Sequence, residues 1–147
     1  MFTLSTFIEL PIATRVEGFH KQPTGHNYNI TFAVSTNKMN EDFMVMDFKK
    51  VKKIIHEEMD QYDHSLILRE GDSLIDFYKK GYADREIDIN KTRLFVWTQA
   101  PTAEYMAFYW FNIFKNRFAK EGIELSHLAI QVEETSHNSV TYEEDIK

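Results

Sequence analysis

Between Pro101 and Gly122 the chain carries Met106, Phe108, Tyr109, Trp110, Phe111, Ile113, Phe114 and Phe118. Thr102 is placed to cap a helix, Glu104 in the first turn favours the positive end of its dipole, and Gly122 stands where a C-cap belongs. The spacing predicts a helix from Thr102 to about Lys120. Its apolar side chains cover more than one stripe, so they must be hidden on more than one side, and burial between copies of the chain would satisfy that demand.

Around this helix the pattern changes to that of strands. Tyr28, Ile30, Phe32 and Val34 alternate with Asn29, Thr31, Ala33 and Ser35, the period-two signature of a strand with one buried face. Leu128, Ile130 and Val132 repeat it against Ala129, Gln131 and Glu133. The opening stretch Phe2 to Ala13 and the run Leu94 to Thr98 also read as extended, and Val140 to Tyr142 predicts a last short strand. Asp47 is placed as a second N-cap, after which Phe48, Val51, Ile54, Ile55, Met59 and Tyr62 recur at helical spacing and the helix ends near Asp63. Residues 65–90 read as irregular and charged, with a short helix around Ser73 to Lys80. The order is that of an α+β protein: strands joined in antiparallel fashion, with two helices on one face.

Composition closes off several classes of function. The 147 residues suit a single domain spanning 1–147, and 43% hydrophobic content with only five Gly and three Pro is that of a folding chain. A net charge of -6 offers no basic field for nucleic acid. Lys49, Lys50, Lys52 and Lys53 interrupt an apolar helical pattern and read as its solvated face. The absence of Cys rules out disulfides, thiolate metal sites and thiol catalysis. Glu9 and Pro11 break the apolar opening and no run reaches spanning length, so a cytoplasmic protein with no membrane partner is expected.

Four groups of residues, in order along the chain, resemble one family. Ala13-Thr14-Arg15-Val16 is similar to Ala-His-Arg-Leu at the end of a first strand, and Thr24-Gly25-His26-Asn27-Tyr28 to His-Gly-His-Asn-Tyr opening a second. Val45-Met46-Asp47-Phe48 and Tyr62-Asp63-His64 resemble a Met-Asp-Phe helix start and a Leu-Asp-His helix end. Pro101-Thr102-Ala103-Glu104 and Val132-Glu133-Glu134-Thr135 resemble Pro-Thr-Ser-Glu and Val-Lys-Glu-Thr. These motifs are those of the 6-pyruvoyltetrahydropterin and 6-carboxytetrahydropterin synthases. The likeness runs from about Phe7 to Tyr142 and is weakest between Leu68 and Lys91. It implies the tunnelling fold: a four-stranded antiparallel sheet with two helices on one face, three subunits closing a β-barrel, two trimers forming a homohexamer, and active sites between subunits.

The resemblance also assigns roles. Family members hold Zn²⁺ with three His, and the matching positions here are Thr14, Thr24 and His26. A Thr hydroxyl is a poor zinc ligand, so a family-type zinc site is expected to be weak or absent. The family's catalytic Cys position holds His20; a neutral imidazole of pKa about 6.5 could take a proton there, and Glu17 is a rival on the same loop. Asp63 and His64 match the family's acid/base pair, though a His near a helix C-terminus is also stabilised by the dipole. Glu134 matches the carboxylate that grips the amino-pyrimidinone edge of a pterin. Thr102 and Glu104 match residues completing that pocket, and are equally explained as capping residues. The implied function is a carbon-oxygen lyase-type conversion of a pterin such as dihydroneopterin triphosphate. Its alternative is a metal-free, inactive protein that binds a pterin or purine-like ring.

Overall fold

The computed structural model describes residues Met1–Lys147. Six strands and three α-helices follow in the order β1 (Phe2–Thr14), β2 (Thr24–Thr36), α1 (Phe48–Met59), β3 (Ser65–Arg69), α2 (Leu74–Asp84), β4 (Leu94–Trp97), α3 (Ala103–Lys120), β5 (His127–Thr135) and β6 (Asn138–Asp145). They form one sheet in the order β4-β3-β1-β2-β5-β6. The expected antiparallel set β1, β2, β5 and β6 is present, and the sheet is wider than four strands because β3 and β4 add a parallel edge; β4 and α2 fall on the extended run and the short helix that the sequence predicts. Residues 65–90 looked irregular because β3 is only five residues long, too short for alternation to register.

Strand alternation sorts the side chains between two faces. Leu4, Ile8, Leu10 and Ile12 of β1 join Tyr28, Ile30, Phe32 and Val34 of β2 and Leu128, Ile130 and Val132 of β5 on the face covered by α1 and α3. The opposite face is lined by small and polar residues in register across the strands, such as Ser5, Ala33 and Ala129, or Glu9, Asn29 and Glu133. Phe7 on that face is 66% exposed, and nothing in the chain covers it.

Both helix starts are where capping chemistry puts them. Asp47 accepts from the backbone N–H of Lys49 at 2.9 Å, and Thr102 from that of Tyr105 at 3.1 Å. Helix α1 tightens into a 3₁₀ turn at Asp60–Tyr62 before the chain reaches Asp63. Helix α3 corrects one inference. Met106, Ala107, Trp110, Phe111, Phe114 and Phe118 are fully buried within the single chain. The sheet takes one side of the helix, while Trp97 stacks on Tyr109 at 4.4 Å and Tyr62 meets Trp110 at 5.4 Å on another. Only Phe108, 44% exposed, is left over, so α3 makes no strong demand for a second copy. No helix is long and apolar enough to cross a membrane.

Candidate active site

At one end of the helix-covered face the apolar core gives way to an open cavity of about 640 Å³. Thr14 ends β1, Thr24 opens β2, His20 comes from the loop between them, and Glu134 comes from the end of β5. Thr102, Ala103 and Glu104 supply the start of α3, whose first N–H groups have no partner within the helix. Sequence-predicted residues from three distant stretches thus share one wall.

Strand alternation already puts Glu134 on the face of Leu128, Ile130 and Val132, which opens into this space. The pairing of β5 with β6 shifts register between Glu133 and Thr135, leaving Glu134 as the extra residue of a β-bulge. Glu133 pairs with Asn29 and Ser139 and belongs to the bare face, whereas Glu134 lines the cavity with its side chain 41% exposed. Its Oε1 lies 3.3 Å from Nε2 of His26, and the His26 ring meets Tyr28 edge-on at 5.9 Å.

Beneath the cavity, burial pushes the Tyr28 phenol up to about 12; the Thr14 side chain opposes the rise and the Glu134 charge adds to it. Tyr28 therefore stays protonated at neutral pH, a neutral hydroxyl beside an acceptor carboxylate. The sequence showed Tyr28 only as a core-facing strand residue. His137, Asn138 and Ser139, which also line the cavity, carried no motif that would have marked them.

Glu17 has a different occupation. Its carboxylate accepts from the Ser73 hydroxyl at 2.6 Å and from Arg15 at 3.0 Å, and it does not line the cavity. The Ser73 hydroxyl, chiefly, holds the carboxyl below its ordinary range, with the Ser73 backbone N–H and Arg15 acting in the same sense and desolvation against them. The buried Asp72 carboxylate pairs with Arg15 at 3.6 Å. Glu17 thus ties the loop after β1 to the start of α2, while His20 on the same loop is free to face the cavity.

Asp63 and His64 are elsewhere. Asp63 Oδ1 holds His64 Nδ1 at 3.0 Å, the orienting contact that leaves Nε2 free. His64 has a positive φ of 56°, a costly conformation for a residue with a side chain, and its N–H is fixed to the Pro11 carbonyl at 2.9 Å. The pair sits outside β1, where His64 borders a recess with Pro11, Ala13, Gly25 and Asn27 at the end of the bare face. Glu134 does not line this recess, but its partner His26 does.

The family's zinc can be tested against these residues. Of the three matching positions only His26 offers an imidazole, and its Nε2 is directed at Glu134; Thr14 and Thr24 offer neutral hydroxyls. No group of three His, Cys, Asp or Glu is placed to hold a metal ion. The donor set does not fit a zinc site, and no chemical step is routed through one.

Architecture and cavity together define a tunnelling-fold protein with a polar cavity at the open end of its sheet. Residues 6–145 match the family model for 6-pyruvoyl tetrahydropterin synthase, and the chain belongs to that family. It is 27% identical over 123 residues to 6-carboxy-5,6,7,8-tetrahydropterin synthase of Aquifex aeolicus, covering 82% of this chain and 74% of the relative. The Rickettsia felis protein of the same name is 29% identical over 108 residues, covering 72% and 73%. Among solved structures, an uncharacterized protein of Wolinella succinogenes superposes with a TM-score of 0.78 at 15% identity, covering 96% and 97% of the two chains. The 6-pyruvoyl tetrahydropterin synthase of Plasmodium vivax gives 0.71 at 16%, covering 99% and 100%. At such identities the superpositions speak for the fold alone.

Proposed function

We propose that the protein binds a pterin in the Glu134 cavity and converts it by acid/base chemistry shared between neighbouring copies of the chain, in the cytoplasm. The observation that carries this is Glu134 itself, a bulge residue whose carboxylate lines the cavity together with the start of α3. Each carboxylate oxygen has more than one acceptor position, so with Oε1 near His26 Nε2 the group can still accept both N–H groups of an amino-pyrimidinone edge, and such bidentate pairing reads a planar, guanidine-like group specifically. Thr102 and Glu104 line the same cavity and would border the ring. His20 is the base that takes a proton from carbon on the pterin side chain. A C–O bond then breaks, its electron pair leaving with the oxygen, and Asp63–His64 of a neighbouring copy supplies the second proton transfer.

Two free sheet edges support the shared site. β3 pairs only with Ile12–Thr14, so β1 has no outer partner along residues 2–10, and β6 has none on its own outer side. β1 runs toward the cavity and β6 away from it. A neighbour's β6 laid antiparallel on β1 would therefore continue the sheet and set that neighbour's Glu134 hairpin beside His64. Repeated three times, this closes a barrel around the bare polar face; two such trimers make the hexamer. Uncovered edges of this kind ordinarily find partners.

A second reading, binding without turnover, is favoured by Thr14 and Thr24 standing where relatives have zinc ligands, since metal assistance is worth several kcal/mol. One set of measurements separates the two. Wild-type protein is expected to bind neopterin in a titration and to consume dihydroneopterin triphosphate, while Glu134→Gln weakens binding roughly 10- to 100-fold through loss of a charge-assisted pair. Binding without consumption selects the second reading. Unchanged affinity in Glu134→Gln defeats both.

A further inference from the structure

Thr14 and Thr24 leave His26 without fellow zinc ligands, and the fold gives its imidazole a different neighbour. β2 and β5 run antiparallel with Asn29 opposite Glu133, so the next core-side residues toward the open end are Tyr28 and Glu134, with His26 one step beyond Tyr28 on the same face. His26 Nε2 lies 3.3 Å from Oε1 of Glu134, and its ring rests edge-on against Tyr28 at 5.9 Å and 81°. Tyr28 is 1% exposed, a fixed wall, and the His26 main chain is held opposite Ile12 in the β1–β2 ladder. Ring and backbone are both anchored.

Glu134 has little else to hold it. His26 is its one ion-pair partner in the chain, and no Lys or Arg lines the cavity. A half-exposed Glu left to itself samples several rotamers, and ordering such a side chain on binding costs affinity; a group already held in its binding geometry avoids that loss. Beside a carboxylate, Nε2 carries the ring proton, which leaves Oε2 and the second acceptor position of Oε1 for a ligand. His26 is not among the residues lining the cavity, so its effect on a ligand there passes through Glu134.

We propose that His26 is a positioning residue for ligand recognition, fixing the Glu134 carboxylate for the amino-pyrimidinone edge of a pterin without a metal. The inference rests on the pterin reading above and deepens it. An imidazole that a zinc site would use as a ligand here orients an acceptor, so the ring is recognised with no metal in place.

The test titrates neopterin into the full chain in the presence of a chelator, using wild type, His26→Asn, His26→Gln, Glu134→Gln and the double variant His26→Asn/Glu134→Gln. The Gln amide reaches about as far as Nε2 and can donate to Oε1; the Asn amide is a bond shorter and cannot. His26→Asn should weaken neopterin about 3- to 10-fold, the effect of a single polar contact, while His26→Gln should stay within about twofold of wild type. In the double variant, His26→Asn should add less than about twofold to the Glu134→Gln loss, because the two residues act as a unit. Equal affinity of wild type and His26→Asn overturns the proposal, as does tighter binding, which would make His26 a competitor for Oε1. A loss in His26→Gln as large as in His26→Asn overturns it too, by assigning His26 to packing against Tyr28. So does a loss that appears only when zinc replaces the chelator, or one of full size in the Glu134→Gln background. Unchanged affinity in Glu134→Gln sinks the pterin reading and this proposal with it, whereas a Glu134→Gln loss with no effect of His26→Asn sinks this proposal alone.

Discussion

The two faces of the sheet end in recesses of different kinds. On the helix-covered face, Glu134, His20, Thr102 and Glu104 converge within one chain, because α3 and the hydrophobic core fix the strand ends that carry them. On the bare face, His64 is held by Asp63 and by a strained backbone, yet it stands exposed, 79% of its side chain open to solvent, with no ligand-gripping carboxylate opposite it. In the function proposed above, the first recess recognises the ring and the second carries the proton-transfer group of a neighbouring copy, so recognition and assembly would be coupled.

The largest effect should come from separating the two halves. His64→Ala is expected to lower turnover by about 10²- to 10⁴-fold, the range for a lost proton-transfer group, while leaving the pterin dissociation constant within about threefold. An equal loss of binding would merge the two recesses into one. Mixing His64→Ala chains with Glu134→Gln chains sharpens the contrast: mixed oligomers should regain part of the turnover, since some interfaces then combine an intact Glu134 with an intact His64. No recovery after confirmed subunit exchange would place both residues in the same chain's site.

Smaller effects test the walls. Thr102→Ala should cost about 1 kcal/mol of stability in denaturant unfolding, because Thr102 caps α3, and Thr102→Ser should restore it. A loss of pterin affinity in Thr102→Ala beyond what Thr102→Ser restores would give the methyl group a share in the pocket.

The smallest effect lies on the bare face. His127 bridges Asp145 at 2.9 Å and Glu143 at 3.0 Å, and its pKa is raised first by the Asp145 hydrogen bond and then by that to Glu143, against a desolvation that lowers it. A raised folded pKa makes the charged form favour the fold. That contribution is fully present below the unfolded value of about 6.5 and is lost as pH rises through the higher folded value. His127→Gln should therefore lower Tm slightly at pH 6 and leave it unchanged well above neutrality. A Tm deficit that persists at pH 9 would show a packing role instead of a charge.

Legibility in the sequence followed the range of the interaction involved. Alternation at Tyr28–Val34 and Leu128–Val132, and the caps at Asp47 and Thr102, are local, and the structure has each of them in place. The stretch from Ser65 to Arg69 was misjudged because a short parallel strand takes its identity from its neighbours and carries little pattern of its own. Tyr28 is a core residue as alternation indicates, and only the structure shows that Thr14 and Glu134 act on its phenol. Glu17 and His20 looked equivalent on one loop until Ser73, more than fifty positions along, proved to hold only the first.

Sequence by itself therefore determined the strand faces, the helix starts and, through its motifs, the family. Those rest on periodicity and capping, which a chain expresses within a few residues. Tertiary structure alone decided that Glu134 is a bulge residue on the wall of a cavity, that His64 lines a different recess, and that Ser65 is buried without a partner. Those depend on pairing register and on long-range contacts, whose geometry is set only when distant segments close on one another.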